Sequence, residues 1–168
     1  MTKAVTIFVL VAVIAQIACK SGDKPGNAAQ SQAEAAPYTK AEAGRAAFFD
    51  AVQHGDIPRI ESMAAQGFDV NTGNEAGVTP LIVAAGMNAD VVKLLIAKGA
   101  RVNAKAAGGY TALMSAALNG RKDIVKLLLD SGADPTPKDT SIRTAIKYAQ
   151  EKNHKDIVDL LRHAGAKE

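Results

Sequence analysis

From residue 45 onward, apolar and polar positions recur with helical spacing, and the pattern restarts at regular intervals. Short alanine-bearing segments open each interval: Ala46-Ala47-Phe48-Phe49-Asp50-Ala51, Leu81-Ile82-Val83-Ala84-Ala85, Leu113-Met114-Ser115-Ala116-Ala117 and Ile146-Lys147-Tyr148-Ala149. A second amphipathic segment follows, as in Val91-Val92-Lys93-Leu94-Leu95-Ile96-Ala97 and Ile124-Val125-Lys126-Leu127-Leu128-Leu129. Each second segment runs into a glycine, and Gly67, Gly99, Gly132 and Gly165 stand 32, 33 and 33 residues apart. The pattern predicts four helix-turn-helix units over about 46–73, 74–105, 106–138 and 139–168. A period of this length is the mark of stacked repeats.

Local chemistry agrees with these boundaries. Thr79, Thr111 and Thr144 stand where a hydroxyl can cap a first helix, and Pro80 follows at the first helical position, where its missing N–H costs nothing. The four glycines end the second helices, where a left-handed residue is cheap only for glycine. Alanines 84, 85, 116 and 117 let helices approach closely, Leu81, Leu113 and Ile146 fill the gap between helix layers, and Leu94 and Leu127 are expected in the core of the second helices. No single helix pair buries its apolar face, so at least three units must stack. Between Ala85 and Val91 the second unit is one residue short, which predicts a tighter turn.

Thr79-Pro80-Leu81-Ile82-Val83-Ala84-Ala85, Thr111-Ala112-Leu113-Met114-Ser115-Ala116-Ala117 and Thr144-Ala145-Ile146-Lys147-Tyr148-Ala149 resemble the Thr-Pro-Leu-His-x-Ala-Ala signature of the ankyrin-repeat family. The resemblance covers 46–168, within a repeat domain drawn at 45–168. It implies an all-α solenoid of about four repeats joined by short β-hairpin-like loops, with Gly109 in the place of the hairpin glycine. The signature histidine is replaced by Phe49, Ile82, Met114 and Lys147, so apolar packing takes the place of a polar bridge. The first unit has the weakest motif and reads as an N-terminal cap, with Pro58 in the first turn of its second helix. Charges on the last unit suit a solvated terminal repeat.

The residues before the repeats differ in character. Lys3 precedes an uncharged apolar run, Ala4–Ala18, too short to span a bilayer comfortably and laid out like a signal peptide over 1–18. Gln16-Ile17-Ala18-Cys19 resembles a bacterial lipobox: Ala18 and Cys19 match, while Gln16 stands where that family usually has Leu. The resemblance implies that Cys19 is acylated and becomes the mature N-terminus. Lys20 next to it, with no retention Asp, implies the periplasmic face of the outer membrane. Cleavage after Ala15 or an uncleaved anchor are the alternatives. Residues 19–44, with Gly22, Pro25, Gly26 and Pro37 and no apolar periodicity, read as a flexible tether.

Composition narrows the function. Cys19 is the single cysteine, so no internal disulfide is possible. The net charge of +3 falls to +2 without Lys3, and no basic stripe marks a nucleic-acid partner. His54, His154 and His163 are scattered in repeat position; a metal site from His154, His163 and Asp159 is the sharper reading, surface turn residues the plainer one. Nothing assembles a nucleophile, a base and an oxyanion donor, so no cofactor, metal or small-molecule substrate is expected.

The resemblance places partner contacts on the hairpin tips and the exposed ends of the first helices. On this chain these are Glu75 and Val78, then Lys105, Ala107 and Tyr110, then Lys138, Ser141 and Arg143 on the tips. Gln53, His54, Met87, Leu118, Asn119, Glu151 and Lys152 are their counterparts on the helices. Tyr110, Met87 and Leu118 are the expected anchors, with Lys105, Lys138 and Arg143 favouring a partner with an acidic patch. The expected function is a monomeric, exported protein-binding module. An accessory role, structural, stress-protective or immunity-like toward an enzyme or toxin, is the alternative, and an enzyme or metal-handling protein the remote one.

Overall fold

The computed structural model describes residues 40–166, and these residues are organised as eight helices in four adjacent pairs. The pairs are α1 (Lys40–His54) with α2 (Ile57–Ala65), α3 (Pro80–Ala85) with α4 (Ala89–Ala97), α5 (Ala112–Leu118) with α6 (Lys122–Asp130), and α7 (Ala145–Glu151) with α8 (Lys155–His163). First helices pack on first helices in the order α1, α3, α5, α7, and α6 lies between α4 and α8 in the second row. The all-helical stack expected from the sequence is what the chain forms. Helix α1 starts at Lys40, five residues inside the expected tether. The expected signal peptide, Cys19 and the tether as far as residue 39 lie outside the described residues.

The helix ends follow from single residues. Thr79, Thr111 and Thr144 accept hydrogen bonds from the backbone N–H groups of Ile82, Met114 and Lys147, and all three caps are buried. At the other end of each pair, Gly67, Gly99, Gly132 and Gly165 take φ of 84–87°. The following residue donates back into the last turn: Phe68 to the Met63 carbonyl, Ala100 to Leu95, Ala133 to Leu128 and Ala166 to Leu161, at 2.9–3.1 Å. This double closure satisfies carbonyls that would otherwise be orphaned and turns the chain toward the next unit.

Small side chains set the spacing of the first-helix row. Ala84, Ala85, Ala116, Ala117, Ala145 and Ala149 are at most 1% exposed, with Leu81, Leu113, Met114 and Ile146 filling the space between them. Met114 and Ile82 stand where the signature has histidine, and both are buried, so apolar packing fills that place in the middle units. In the second helices the deepest leucines are Leu95 and Leu128, fully buried, whereas Leu94 and Leu127 are only half-buried. The expected core residue is therefore off by one position. Within a run such as Leu127-Leu128-Leu129, side-chain type is uniform, and only the angle at which the helix meets its neighbours selects the inward leucine.

Two further devices join the units. Asn71 donates from Nδ2 to the Gly99 carbonyl (3.2 Å) and accepts from the Arg101 N–H (2.8 Å), and Asn103 does the same with Gly132 (2.9 Å) and Asp134 (2.8 Å). Thr136 holds the equivalent place in the third unit and instead turns back onto the Asp134 carboxylate. Between the helices of a pair, Gly55, Gly120 and Asn153 take the left-handed conformation. The second unit lacks that residue: Gly86 is right-handed, the Met87 and Asn88 N–H groups both reach the Ala84 carbonyl at 2.9 Å, and Asn88 caps α4. The tighter turn leaves Met87 47% exposed.

Leu95→Ala or Leu128→Ala is expected to lower stability by about 2–5 kcal/mol through lost burial and a cavity. Lys126→Ala, on the exposed side of α6, should cost less than about 0.5 kcal/mol. Urea unfolding followed by far-ultraviolet circular dichroism measures all three, and Leu127→Ala should fall between the two groups.

Candidate functional site

The three tips between units share one backbone plan. In each, a tight turn closes the loop through hydrogen bonds from Asn74 to the Val78 carbonyl (3.0 Å), from Ala106 to Tyr110 (2.9 Å) and from Asp139 to Arg143 (3.0 Å). Lys105 and Thr111 form an antiparallel bridge at the base of the second tip. The tips are also bonded to one another, because the Ala107 N–H donates to the Ala76 carbonyl (2.7 Å) and the Thr140 N–H to that of Gly108 (2.8 Å). Three hairpin-like loops thus form one braced ridge, with Glu75, Ala76, Ala107, Thr140, Ser141 and Ile142 exposed along it.

In the first tip the Asn74 carboxamide accepts from the Ala76 and Val78 N–H groups at 3.0 Å each. In the third, Asp139 does the same for Ser141 and Arg143 at 2.8 Å each. Its second oxygen accepts from the Tyr148 hydroxyl at 2.6 Å and from the Arg143 Nε at 3.3 Å. The Arg143 guanidinium carbon lies 4.4 Å from the Tyr148 ring centroid, and its Nη1 is 3.7 Å from Glu151. Tyr110 meets the same ring edge-on with centroids 5.7 Å apart. Burial pushes the Asp139 carboxyl up, but the bonds from Tyr148, Arg143 and Ser141 and the Arg143 charge outweigh it and hold the carboxyl below its ordinary value. Burial and the bond to Asp139 push the Tyr148 hydroxyl up to about 12, and burial raises that of Tyr110.

This network changes the standing of several expected contact residues. Tyr110 is half-buried against Tyr148 instead of standing free, because the Tyr148 ring from α7 fills the space beside it; truncating Tyr110 would lower the melting temperature as well as alter a surface. Leu118 is likewise half-buried, and its carbonyl is 3.4 Å from Nε2 of His154. Arg143 is committed to Asp139 and Glu151, so it is not a free cation for an acidic partner. Val78 is partly covered by the core. Met87, Glu75, Lys105, Lys138 and Asn119 are exposed, as are Gln53, His54, Ala107, Ser141, Glu151 and Lys152. His163 turns back onto the Asp159 carbonyl of its own helix at 2.6 Å, and among the described residues no group of three His, Cys, Asp or Glu side chains is placed to hold a metal ion.

Sequence reasoning missed Asp139 and Tyr148, which organise the last junction, and Ile142, which is 74% exposed. Ile142 is in register with Gly77 and Gly109, and all three take a left-handed φ, 69°, 78° and 62° in chain order. That register is the one sequence signal that could have found it. A family model described as ankyrin repeats, three copies, matches residues 15–106, 48–139 and 107–168.

Tyr148→Phe removes a hydrogen bond to a charged group and is expected to cost about 1.5–3 kcal/mol at neutral pH. Because the folded Asp139 carboxyl titrates below the unfolded one, its contribution is complete above the ordinary carboxyl range, about pH 4, and drains away as pH falls through the folded value. Asp139→Asn should therefore be less stable than wild type at pH 7 and converge with it toward pH 2. Thermal melts across that range test both.

Proposed function

The chain belongs to the ankyrin-repeat family, and on that premise we propose that it is a non-enzymatic module that binds another protein through its tips and the exposed ends of its first helices, the face expected to be concave. Ankyrin repeats imply a protein partner. The observation that carries the reading is the braced ridge: backbone bonds between successive tips hold their exposed side chains in fixed relative positions. A surface ordered before binding loses less entropy on association. Met87, set out by the shortened turn, supplies an apolar contact amid polar neighbours, and Lys105 and Lys138 supply unburied positive charge near the second and third tips.

The proposal extends to location. The apolar run Ala4–Ala18 followed by Cys19 supports export from a bacterial cytoplasm with acylation at Cys19, and Lys20 supports placement at the periplasmic face of the outer membrane. The folded repeats would act there as a tethered monomer. One acyl chain anchors only marginally, so stable attachment requires the fully acylated form.

Two measurements test this reading. Affinity purification with the full chain from envelope extract should recover a protein whose yield falls about tenfold with Met87→Asp and stays unchanged with Lys126→Glu on the second-helix side. The reverse pattern would place binding on the other face. Labelling with a fatty-acid analogue should mark the wild type and not Cys19→Ala. Equal labelling and equal detergent partitioning would refute the lipid anchor.

A further inference from the structure

Ile142 occupies the one left-handed tip position that is not glycine. At Gly109, a side chain is disfavoured twice, by φ of 78° and because a Cβ would lie 3.0 Å from the Lys138 carbonyl of the next tip, tight enough that this backbone would have to give. Among the described residues no further tip stacks on Ile142, so a side chain has room there. Room does not remove the backbone cost: a β-branched residue at positive φ is disfavoured wherever it stands. The fold returns nothing for it either, since the side chain is 74% exposed. Such a conformation persists only where its surroundings over-determine it. Here they do. The Thr140 N–H is bonded to Gly108, those of Ser141 and Arg143 to the Asp139 carboxylate and that of Ile142 to the Asp139 carbonyl, all at 2.8–2.9 Å. Every amide of the tip is used, and Asp139 is fixed from behind by Tyr148.

We infer that Ile142 is the anchor of the third tip, a rigidly held apolar knob that enters an apolar pocket on the protein partner, with acidic groups on the pocket rim facing Lys138. This deepens the binding reading above and rests on it. The partner's chemistry follows from the surroundings. Thr140 and Ser141 are small and polar, Arg143 is held by Asp139 and Glu151, and Lys138 is an exposed cation outside that cluster. A fixed knob suits a shaped pocket, because preorganisation favours complementarity of form. A lipid surface, fluid and without shape, would take a flexible apolar residue equally well and gains nothing from a clamped backbone.

The test places a photoreactive benzoylphenylalanine at 142, and separately at 87, in the full chain within the cells that make it. The protein crosslinked from 142 is then purified and titrated with the wild type, Ile142→Leu and Ile142→Asn, while vesicles of phosphatidylethanolamine and phosphatidylglycerol at 3:1 are titrated in parallel. The expected result is binding by the wild type, a loss of about tenfold or more with Ile142→Asn, and retention within about threefold by Ile142→Leu. Asn tolerates the left-handed conformation, so Ile142→Asn should melt no lower than the wild type, separating lost contact from lost fold. Crosslinks from 87 and none from 142, or equal affinity of Ile142→Asn, would overturn the anchor while leaving the binding reading in place. Crosslinks from neither position would overturn both. Vesicle binding that depends on Ile142, without a protein crosslink, would assign the tip to a membrane and overturn the protein pocket.

Discussion

No helix pair in this chain can bury its own apolar face. Helices of six to nine residues after α1 are too short to be stable alone, and their inward side chains are covered by the other helix of the pair together with the units above and below. The first-helix row depends on this most. With Ala84, Ala116 and Ala149 essentially sealed, the backbones of α3, α5 and α7 approach closely enough for Leu81, Leu113 and Ile146 to fill what remains. The tips inherit their positions from that row, because each capping threonine joins a tip to the first turn of an inner helix. A braced ridge is therefore a consequence of how the first helices pack.

The junctions are not alike, and the difference bears on function. Asn71 and Asn103 brace the first two junctions with neutral amide bonds between loops. At the last junction Thr136 makes no such brace; the Arg143–Asp139–Tyr148 cluster with Tyr110 stands on the tip side and the exposed Lys122–Asp156 pair on the helix side. An exposed pair contributes little, so the tip-side cluster carries more of the polar holding at this junction. It does so at the place where Ile142 is offered to solvent.

Much of the fold was legible because its signals are local. Threonine caps, terminal glycines and the missing residue before Val91 act within one helical turn, and each appeared where the spacing put it. The inward leucine was not legible: Leu94 and Leu95 are chemically equivalent, and only the neighbouring helix chooses between them. The site was read less well for the same reason. Tyr110 looked free because the residue that half-covers it, Tyr148, is one repeat further on, and Arg143 looked available because Asp139 has to fold beneath it. Ile142 carried a usable signal, its register with Gly77 and Gly109, but that register acquires meaning only once the left-handed backbone is known.

The central claim is that the stack, and not the helix pair, is the cooperative unit. Native-state hydrogen exchange on an Ala116→Leu variant addresses it most directly, since overpacking at the sealed centre of α5 costs about 1–3 kcal/mol. The account predicts that α3 and α7 lose protection together with α5 and by a similar amount. Loss confined to α5 and α6, with α3 and α7 exchanging as in the wild type, would contradict it.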